Sequence, residues 1–318
     1  MNPVSTNINT PTESTSPEEK VRAKAKAAAK LRRSLSCLVP IQPHGSKRPF
    51  FCIHPNAGVV FPYYELAFNL ANVQPFYGLQ SVGIAGKNQP LTSIEEMASH
   101  YIKAVRTVQP FGPYALGGWS LGGLIAFEMA QQLQRVGESV LLVSLDGAAN
   151  QSNKFINSWE VIKFISTSVV RNIWPYVFDY LNLTPKQKKQ CDKPKGHALR
   201  DRTELPISNR IAHIAQGIAQ RAETAKFRQE AIRRLFPVLW RNTTAFINYK
   251  PQVYPGRMIL LRSYGTSRKY PRYPNLGWSN LVQQGIEIHE IPGHHLNILR
   301  QPHVKAIAAT LQACLDDN

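Results

Sequence analysis

The feature that most constrains this chain is a serine between two glycines, in Gly118-Trp119-Ser120-Leu121-Gly122. An apolar strand pattern precedes the serine and a helix pattern follows it, so the chain must pass from strand to helix within five residues. Such a turn strains the serine backbone, and side chains two positions before or after it would collide with the neighbouring strand and helix. The pattern predicts that Ser120 is a nucleophile whose hydroxyl points outward.

Strand and helix patterns alternate along most of residues 37–318, which predicts an α/β fold with a mainly parallel central sheet and helices on both faces. Strands are predicted at Pro49–Ile53, Pro75–Leu79, Tyr114–Trp119, Ser139–Leu145, Arg257–Leu261 and Ile286–Ile291, and helices at Phe61–Leu70, Ile94–Val108, Leu121–Val136 and Val304–Leu315. The apolar side of the last helix should pack on the sheet. Helical patterns replace the alternation over about residues 148–250, where we expect a lid insertion; a separate helical domain is the alternative.

The first 36 residues differ in composition from the rest of the chain. Residues 1–17 are rich in Ser, Thr, Asn and Pro and are predicted to be disordered. Glu18–Leu35 is basic and rich in alanine, which predicts a solvated linker helix, with a docking or membrane-surface helix as the alternative. Val39–Ser46 is predicted to be an extended arm that enters the folded domain.

The chain is strongly basic, with 38 Lys and Arg against 20 Asp and Glu and a net charge of +18. That excess indicates an acidic partner or simple solubility, and no basic segment resembles a nucleic-acid-binding motif. Its four cysteines lie far apart without Cys-x-x-Cys spacing, so we expect neither disulfides nor a zinc site. Because the sequence lacks a bilayer-spanning apolar run and a signal-peptide core, we expect a cytoplasmic protein without stable membrane insertion.

A nucleophilic serine needs a base, and histidine is the usual choice because its pKa lies near neutrality. Two histidines, His294 and His295, follow Gly293 directly after the last predicted strand. Packing alone is a poor explanation for a histidine pair in such a loop. His295 is the predicted base and His294 the alternative.

The predicted acid follows from an elimination. No Asp or Glu occurs from Ala231 to Ile286. The loop after the strand at Arg257–Leu261, the usual place of the acid in a fold of this kind, therefore contains no carboxylate. Asp146 ends the apolar strand that follows the serine helix, and Gly147 lets the chain turn away. Asp146 is therefore predicted to orient the base, and a capping role at the strand end is the alternative.

Backbone amides are expected to stabilise an oxyanion beside the serine. Leu121 begins the helix after Ser120, so its amide points toward a negative charge that forms there. Asn56 or Ala57 is the expected second donor, because both lie in a turn of small residues after the first core strand. His54, in the same turn, is expected to be a loop residue.

Two features compete with this interpretation of the motif. Gly277-Trp278-Ser279 repeats three of its letters without the second glycine or a helix pattern, so we expect Ser279 to be a loop serine. Residues 116–121 also resemble the Leu-Gly-Gly-x-Ser-Leu site at which carrier proteins accept phosphopantetheine. A carrier would be a short helical domain, which explains neither the 318 residues nor the predicted partners of Ser120.

With these residues placed, the chain resembles the thioesterase domains that end nonribosomal peptide and polyketide synthases, a branch of the α/β-hydrolases. The resemblance extends from about Cys37 to Leu315, and its most specific segments are Leu38–Pro43, Phe51–Pro55, Gly118–Gly123, Ala126–Ala130, Gly293–His295 and Leu299–Val304. In this family the acid follows the strand after the nucleophile, which agrees with Asp146. The family's base is the histidine of a Gly-Asp-His triplet, which falls on His295, and His294 stands where the family usually has Asp.

The resemblance implies a thioesterase that needs no cofactor or metal of its own. An acyl or peptidyl chain would arrive as a phosphopantetheine thioester on an acidic carrier protein, pass to Ser120, and leave by hydrolysis or cyclisation. A general serine esterase or lipase is the nearest alternative. A carrier protein modified at Ser120 and a non-catalytic interaction protein are alternatives from other classes.

Overall fold

The computed structural model describes residues 37–84, 88–149, 225–269, 271 and 274–317. The chain divides into two units, Met1–Ser36 and Cys37–Asn318, and everything described below belongs to the second. The predicted disordered tail and linker helix lie outside the described residues, and so does most of the predicted lid, residues 150–224.

A seven-stranded sheet forms the centre of this unit. Its strands are β1 (Leu38–Gln42), β2 (Phe50–Ile53), β3 (Phe76–Leu79), β4 (Tyr114–Trp119), β5 (Val140–Leu145), β6 (Met258–Ser263) and β7 (Ile286–Ile291). They lie in the order β1-β3-β2-β4-β5-β6-β7. Only the β1–β3 pair is antiparallel in this sheet, and the other five pairs are parallel. The predicted mainly parallel sheet is confirmed.

Helices connect most of the strands. In the described ranges they are α1 (Tyr63–Phe68), α2 (Ile94–Val105), α3 (Leu121–Gln134), α4 (Ala225–Asn248), α5 (Tyr264–Lys269) and α6 (His303–Asp316). Helix α4 falls at the end of the predicted insertion. None of the helices in these ranges combines the length and apolar character that crossing a membrane requires.

One face of the sheet packs against α1 and α6. Alternate strand residues share a buried apolar cluster with these helices, including Phe50 and Cys52 of β2, Leu141, Val143 and Leu145 of β5, Ile291 of β7, Leu66 of α1, and Val304, Ile307 and Leu311 of α6. The predicted apolar side of the last helix therefore packs as expected. Helix α3 covers the other face. Ser144 of β5 alternates with Val143 and Leu145, so its side chain points to that face. A Cβ on Gly123 of α3 would lie 2.4 Å from its hydroxyl oxygen.

The parallel strands end along one edge of the sheet. In the register, Trp119 lies opposite Leu145, Leu145 opposite Leu261, and Ser263 opposite Ile291. Segments that are distant in sequence therefore leave the sheet side by side. Every residue predicted to take part in the chemistry follows one of these strands, β2, β4, β5 or β7.

Two elements differ from the sequence prediction. Strand β1 was expected only as part of an extended arm, but it pairs with β3 at the edge of the sheet. All five of its residues are half-buried, so no apolar alternation indicates a strand. Helix α5 was not predicted, and it contains no buried residue that could have produced a helical pattern.

Candidate active site

Ser120 lies between β4 and α3, with φ 58° and ψ −120°. A positive φ is unfavourable for residues with a side chain, so this turn holds local strain. A Cβ on Gly118 would lie 2.4 Å from the backbone carbon of Gly122, and a Cβ on Gly122 would lie 2.1 Å from the carbonyl oxygen of Ile53. These are the collisions with helix and neighbouring strand that the motif predicts, and only glycine avoids them.

The imidazole of His295 connects Ser120 to Asp146. Its Nε2 lies 3.1 Å from the Ser120 hydroxyl oxygen, and its Nδ1 lies 2.9 Å from Oδ2 of Asp146. With the proton on Nδ1, the ring donates to the carboxylate and accepts from the serine hydroxyl. This arrangement allows the imidazole to take the serine proton while the carboxylate stabilises the resulting positive charge.

The Asp146 side chain is fully buried and receives several hydrogen bonds. The backbone N–H of Ser263 donates to Oδ1 at 2.8 Å. The hydroxyls of Ser263 and Thr266 donate to Oδ2 at 2.9 Å and 2.7 Å. The loop after β6 contains no carboxylate, and it instead supplies the donors that hold the carboxylate from β5.

The pKa of Asp146 reflects two opposing effects. Burial by itself raises the pKa, because it disfavours the charged form. The hydrogen bond and charge of His295, together with the donors on Ser263 and Thr266, outweigh burial and lower the pKa below its ordinary value. Asp146 is therefore ionised at neutral pH, as a partner of an imidazolium must be.

Contacts from two neighbouring elements fix the loop that carries His295. The indole N–H of Trp119 donates to the carbonyl oxygen of His295 at 3.0 Å, and the centroids of the two side-chain rings lie 5.6 Å apart. The backbone N–H of Gly265 donates to the carbonyl oxygen of Gly293 at 2.9 Å. Gly293 has φ 107°, a conformation that favours glycine.

His294, the alternative base, is exposed and forms its hydrogen bonds within its own loop. Its Nδ1 accepts a hydrogen bond from the backbone N–H of Leu296, and its own N–H donates to the Asn297 side chain. Among the described residues, the imidazole that reaches both Ser120 and Asp146 is that of His295.

The predicted oxyanion donors lie near the start of α3. The amide of Leu121 belongs to the first turn of this helix, where N–H groups have no acceptor within the helix. A Cβ on Gly122 would lie 3.0 Å from the carbonyl oxygen of His54, so the turn after β2 approaches the same helix end. Asn56 and Ala57 belong to that turn, and the choice between them as donor stays a prediction.

Helix α4 holds this turn from the other side. The Asn242 side chain donates to the carbonyl oxygen of Asn56 at 2.9 Å, and the Asn56 side chain donates to the Thr243 hydroxyl at 3.0 Å. Val238 packs in one buried cluster with Ala57. The end of the predicted insertion is thus attached to the segment that carries two candidate oxyanion donors.

His54 is buried beneath the same turn and takes no direct part in the serine network. Its Nδ1 lies 2.8 Å from the carbonyl oxygen of Pro55 and its Nε2 lies 2.7 Å from the Tyr101 hydroxyl. Burial lowers the pKa of His54 to about 4, so its ring is neutral at pH 7. His54 supports the turn.

Sequence reasoning missed Trp119, Ser263 and Thr266 as members of the site. Trp119 stands inside the serine motif, so its position could have suggested a contact with the histidine loop. Ser263 and Thr266 gave no comparable signal, because hydroxyl residues at a strand end are common in ordinary turns. Ser279 is an exposed turn residue that accepts a hydrogen bond from Asn275, as expected for a loop serine.

Asp146→Asn tests the electrostatic role of the carboxylate in folding. An aspartate in the unfolded chain has a pKa of about 3.9. Because the folded pKa is lower, the carboxylate's contribution to stability is present above that pH and is lost as the pH falls through the folded pKa. The parent should exceed the isosteric variant in free energy of unfolding at pH 5, and this advantage should shrink below about pH 4. Urea unfolding at several pH values measures this difference in free energy. A difference that grows on acidification would contradict the lowered pKa of Asp146.

Comparison with known proteins gives a family model and similar curated relatives. The thioesterase-domain family model matches residues 48–158. A nonribosomal peptide synthetase of Aspergillus terreus, atqA, is 26% identical over 298 residues, which cover 87% of this chain and 29% of the relative. A dimodular nonribosomal peptide synthase of Bacillus subtilis is 47% identical over 118 residues, 37% of this chain and 5% of the relative. The chain thus spans less than a third of the length of these curated relatives.

Solved structures of similar fold include two thioesterase domains. The NocB thioesterase domain from the nocardicin cluster superimposes with a TM-score of 0.58 at 21% identity, covering 88% of this chain and 99% of that domain. The wild-type Vlm2 thioesterase domain also gives a TM-score of 0.58 at 21% identity, covering 87% of this chain and 96% of that domain. Residues 48–158 thus match the thioesterase-domain family, and the described part of the chain has the α/β-hydrolase fold of these solved thioesterase domains.

Proposed function

We propose that this domain releases an acyl or peptidyl chain from a phosphopantetheine thioester on a carrier protein, through an acyl ester on Ser120. The observation that carries the proposal is the hydrogen-bonded series from Ser120 through His295 to Asp146, with distances of 3.1 Å and 2.9 Å. The family match adds the thioester as the bond that is cleaved. The reaction uses side chains and backbone amides and needs no cofactor of its own, since the phosphopantetheine arrives with the substrate.

In the first half-reaction, Nε2 of His295 takes the hydroxyl proton of Ser120. The serine oxygen bonds to the thioester carbonyl carbon, and the amides of Leu121 and of Asn56 or Ala57 stabilise the oxyanion. The carbon–sulfur bond then breaks, and Nε2 returns its proton to the leaving pantetheine sulfur. Asp146 stays ionised and stabilises the imidazolium while it exists.

The second half-reaction regenerates the serine. Nε2 of His295 takes a proton from water, or from a nucleophile within the bound chain, and the attacking atom bonds to the ester carbonyl carbon. The bond between that carbon and the Ser120 oxygen breaks, and the proton passes to the serine. Water gives a free acid, and an internal nucleophile gives a ring.

The carrier-protein alternative is not favoured. It predicts a short helical domain with no distant partners for Ser120, whereas this serine lies at the end of a strand in a seven-stranded sheet. An esterase or lipase would use the same three side chains, and it would cleave oxyesters at least as fast as the matching thioesters. Rates on paired thioester and oxyester substrates therefore distinguish it from the thioesterase we propose.

Ser120→Ala should abolish release of acyl chains from pantetheine thioesters, lowering kcat by roughly 10⁶ because no nucleophile remains. Ser279→Ala is the matched control, since Ser279 also follows a Gly-Trp pair but is an exposed turn residue. Thiol release measures turnover, and mass spectrometry of the quenched parent should detect an acyl adduct on Ser120. An unchanged rate in Ser120→Ala, or an adduct on Ser279, would refute the mechanism.

Thr266→Val removes a hydroxyl that donates to Asp146 at 2.7 Å and keeps the shape of the side chain. We expect kcat to fall about tenfold with little change in KM, because a charge-assisted hydrogen bond to the orienting carboxylate is lost. Thr310→Val is the control, since its hydroxyl bonds only the carbonyl oxygen of Ala306 within α6. Equal rates in both variants would show that the hydroxyl does not position Asp146.

The acidic carrier is the partner that the charge of the chain suggests. The chain has a net charge of +18, and Arg268 is one of its exposed basic residues. It lies on α5, two residues beyond Thr266, and is therefore close to the site. Charges at the rim of an interface chiefly change the association rate. A carrier that approaches Ser120 with its pantetheine arm would meet this residue.

Arg268→Glu should lower kcat/KM several-fold for a carrier-bound thioester and leave kcat/KM for the free pantetheine thioester unchanged. Added salt should reduce the difference between variant and parent. Lys103→Glu makes the same charge reversal in α2, which leads to the opposite edge of the sheet, and serves as the control. Equal effects on both substrates would argue against electrostatic docking at α5.

A further inference from the structure

Three side chains outside the serine site bring metal-binding atoms together. Oε1 of Glu287 lies 2.6 Å from Nε2 of His289, and that nitrogen lies 3.8 Å from Sγ of Cys314. All three atoms lie within 4.8 Å of one another. Among the described residues, this is the only such group of three.

The positions of these side chains follow from strand geometry. Glu287, His289 and Ile291 alternate along β7, so they share one face of the strand. Ile291 packs in the same apolar cluster as α6, so this is the face that the helix covers. Toward the start of β7 this face becomes polar and more exposed, and Cys314 of α6 meets the two polar residues there.

The chemistry of the set suits a zinc-type ion. Thiolate, imidazole and carboxylate are the three ligand types that Zn²⁺ uses, with bond lengths of about 2.0–2.3 Å. In a tetrahedral site those lengths place neighbouring ligand atoms about 3.3–3.8 Å apart. The distance from sulfur to nitrogen already falls in that range, and the exposed Glu287 side chain can move away from His289 to reach it.

The local charge also favours a cation. The carboxylate of Glu287 lies within 4.8 Å of the Cys314 sulfur. A bound cation would be attracted to this carboxylate and would stabilise a thiolate beside it.

We propose that Glu287, His289 and Cys314 bind one divalent zinc-type ion that joins β7 to the C-terminal part of α6, with water as the fourth ligand. The ion would link the edge strand of the sheet to the helix that covers it. Glu287 lies four residues before the end of β7, about 13 Å along the strand from the loop that begins the serine site. The site is thus separate from the proposed reaction. It also replaces the expectation of no zinc, which considered only the spacing of cysteines.

The experiment uses the full chain, free of affinity tags and dialysed against a chelator. Zn²⁺ titration by calorimetry should show one equivalent bound, and Co²⁺ should give an absorption band from charge transfer between thiolate and metal. His289→Gln and Cys314→Ala should each weaken Zn²⁺ binding at least tenfold, and Cys314→Ala should remove the cobalt band. Zn²⁺ should raise the Tm of the parent and not of these variants.

His44→Gln and Cys37→Ala are the matched controls, because they remove an imidazole and a thiol beside β1, at the opposite end of the strand order from β7, and should leave binding unchanged. His289→Gln changes a half-exposed side chain, so its circular dichroism should match that of the parent. The proposal is overturned if Cys314→Ala and His289→Gln bind Zn²⁺ as tightly as the parent, or if the cobalt complex lacks the thiolate band. In that case Glu287 and His289 form only a hydrogen-bonded surface pair.

Discussion

A buried carboxylate is the interaction on which the arrangement of this site depends. Asp146 directly follows β5, accepts hydrogen bonds from the end of β6 and from α5, and bonds the imidazole that follows β7. An isolated ionised carboxylate would be costly at that depth, so the surrounding donors must be in place for it to stay charged. One charged group therefore fixes the relative positions of three neighbouring strand ends, and with them the distance between His295 and Ser120.

The sequence predicted the parts of the molecule that have a strong periodic pattern or a strict steric requirement. Strands β4 and β7 were predicted to the residue, and the glycines beside Ser120 indicated the turn because close backbone contacts exclude other residues. Strand β6 extends to Ser263. It was predicted to end at Leu261 because Arg262, which is buried, interrupts the apolar run in the sequence. The hydroxyl donors to Asp146 lie in that unpredicted extension and in α5.

Long-range contacts limited the prediction of the remaining residues. His295 could be placed in the right loop, but the choice over His294 depends on how Trp119 and Gly265 fix that loop in space. The grouping of Glu287, His289 and Cys314 depends in the same way on which face of β7 lies beneath α6. Pairs of this kind have no fixed spacing in the chain, so a linear pattern does not reveal them.

The attachment of α4 to the turn after β2 has a consequence for the order of events in a catalytic cycle. Asn242 and Thr243 bond Asn56, so any displacement of this helix pulls on the backbone whose amides are proposed to receive the developing negative charge. If the helix moved to admit a bulky acyl chain, the proposed oxyanion donors would move with it, and bond cleavage would have to wait until the helix returned.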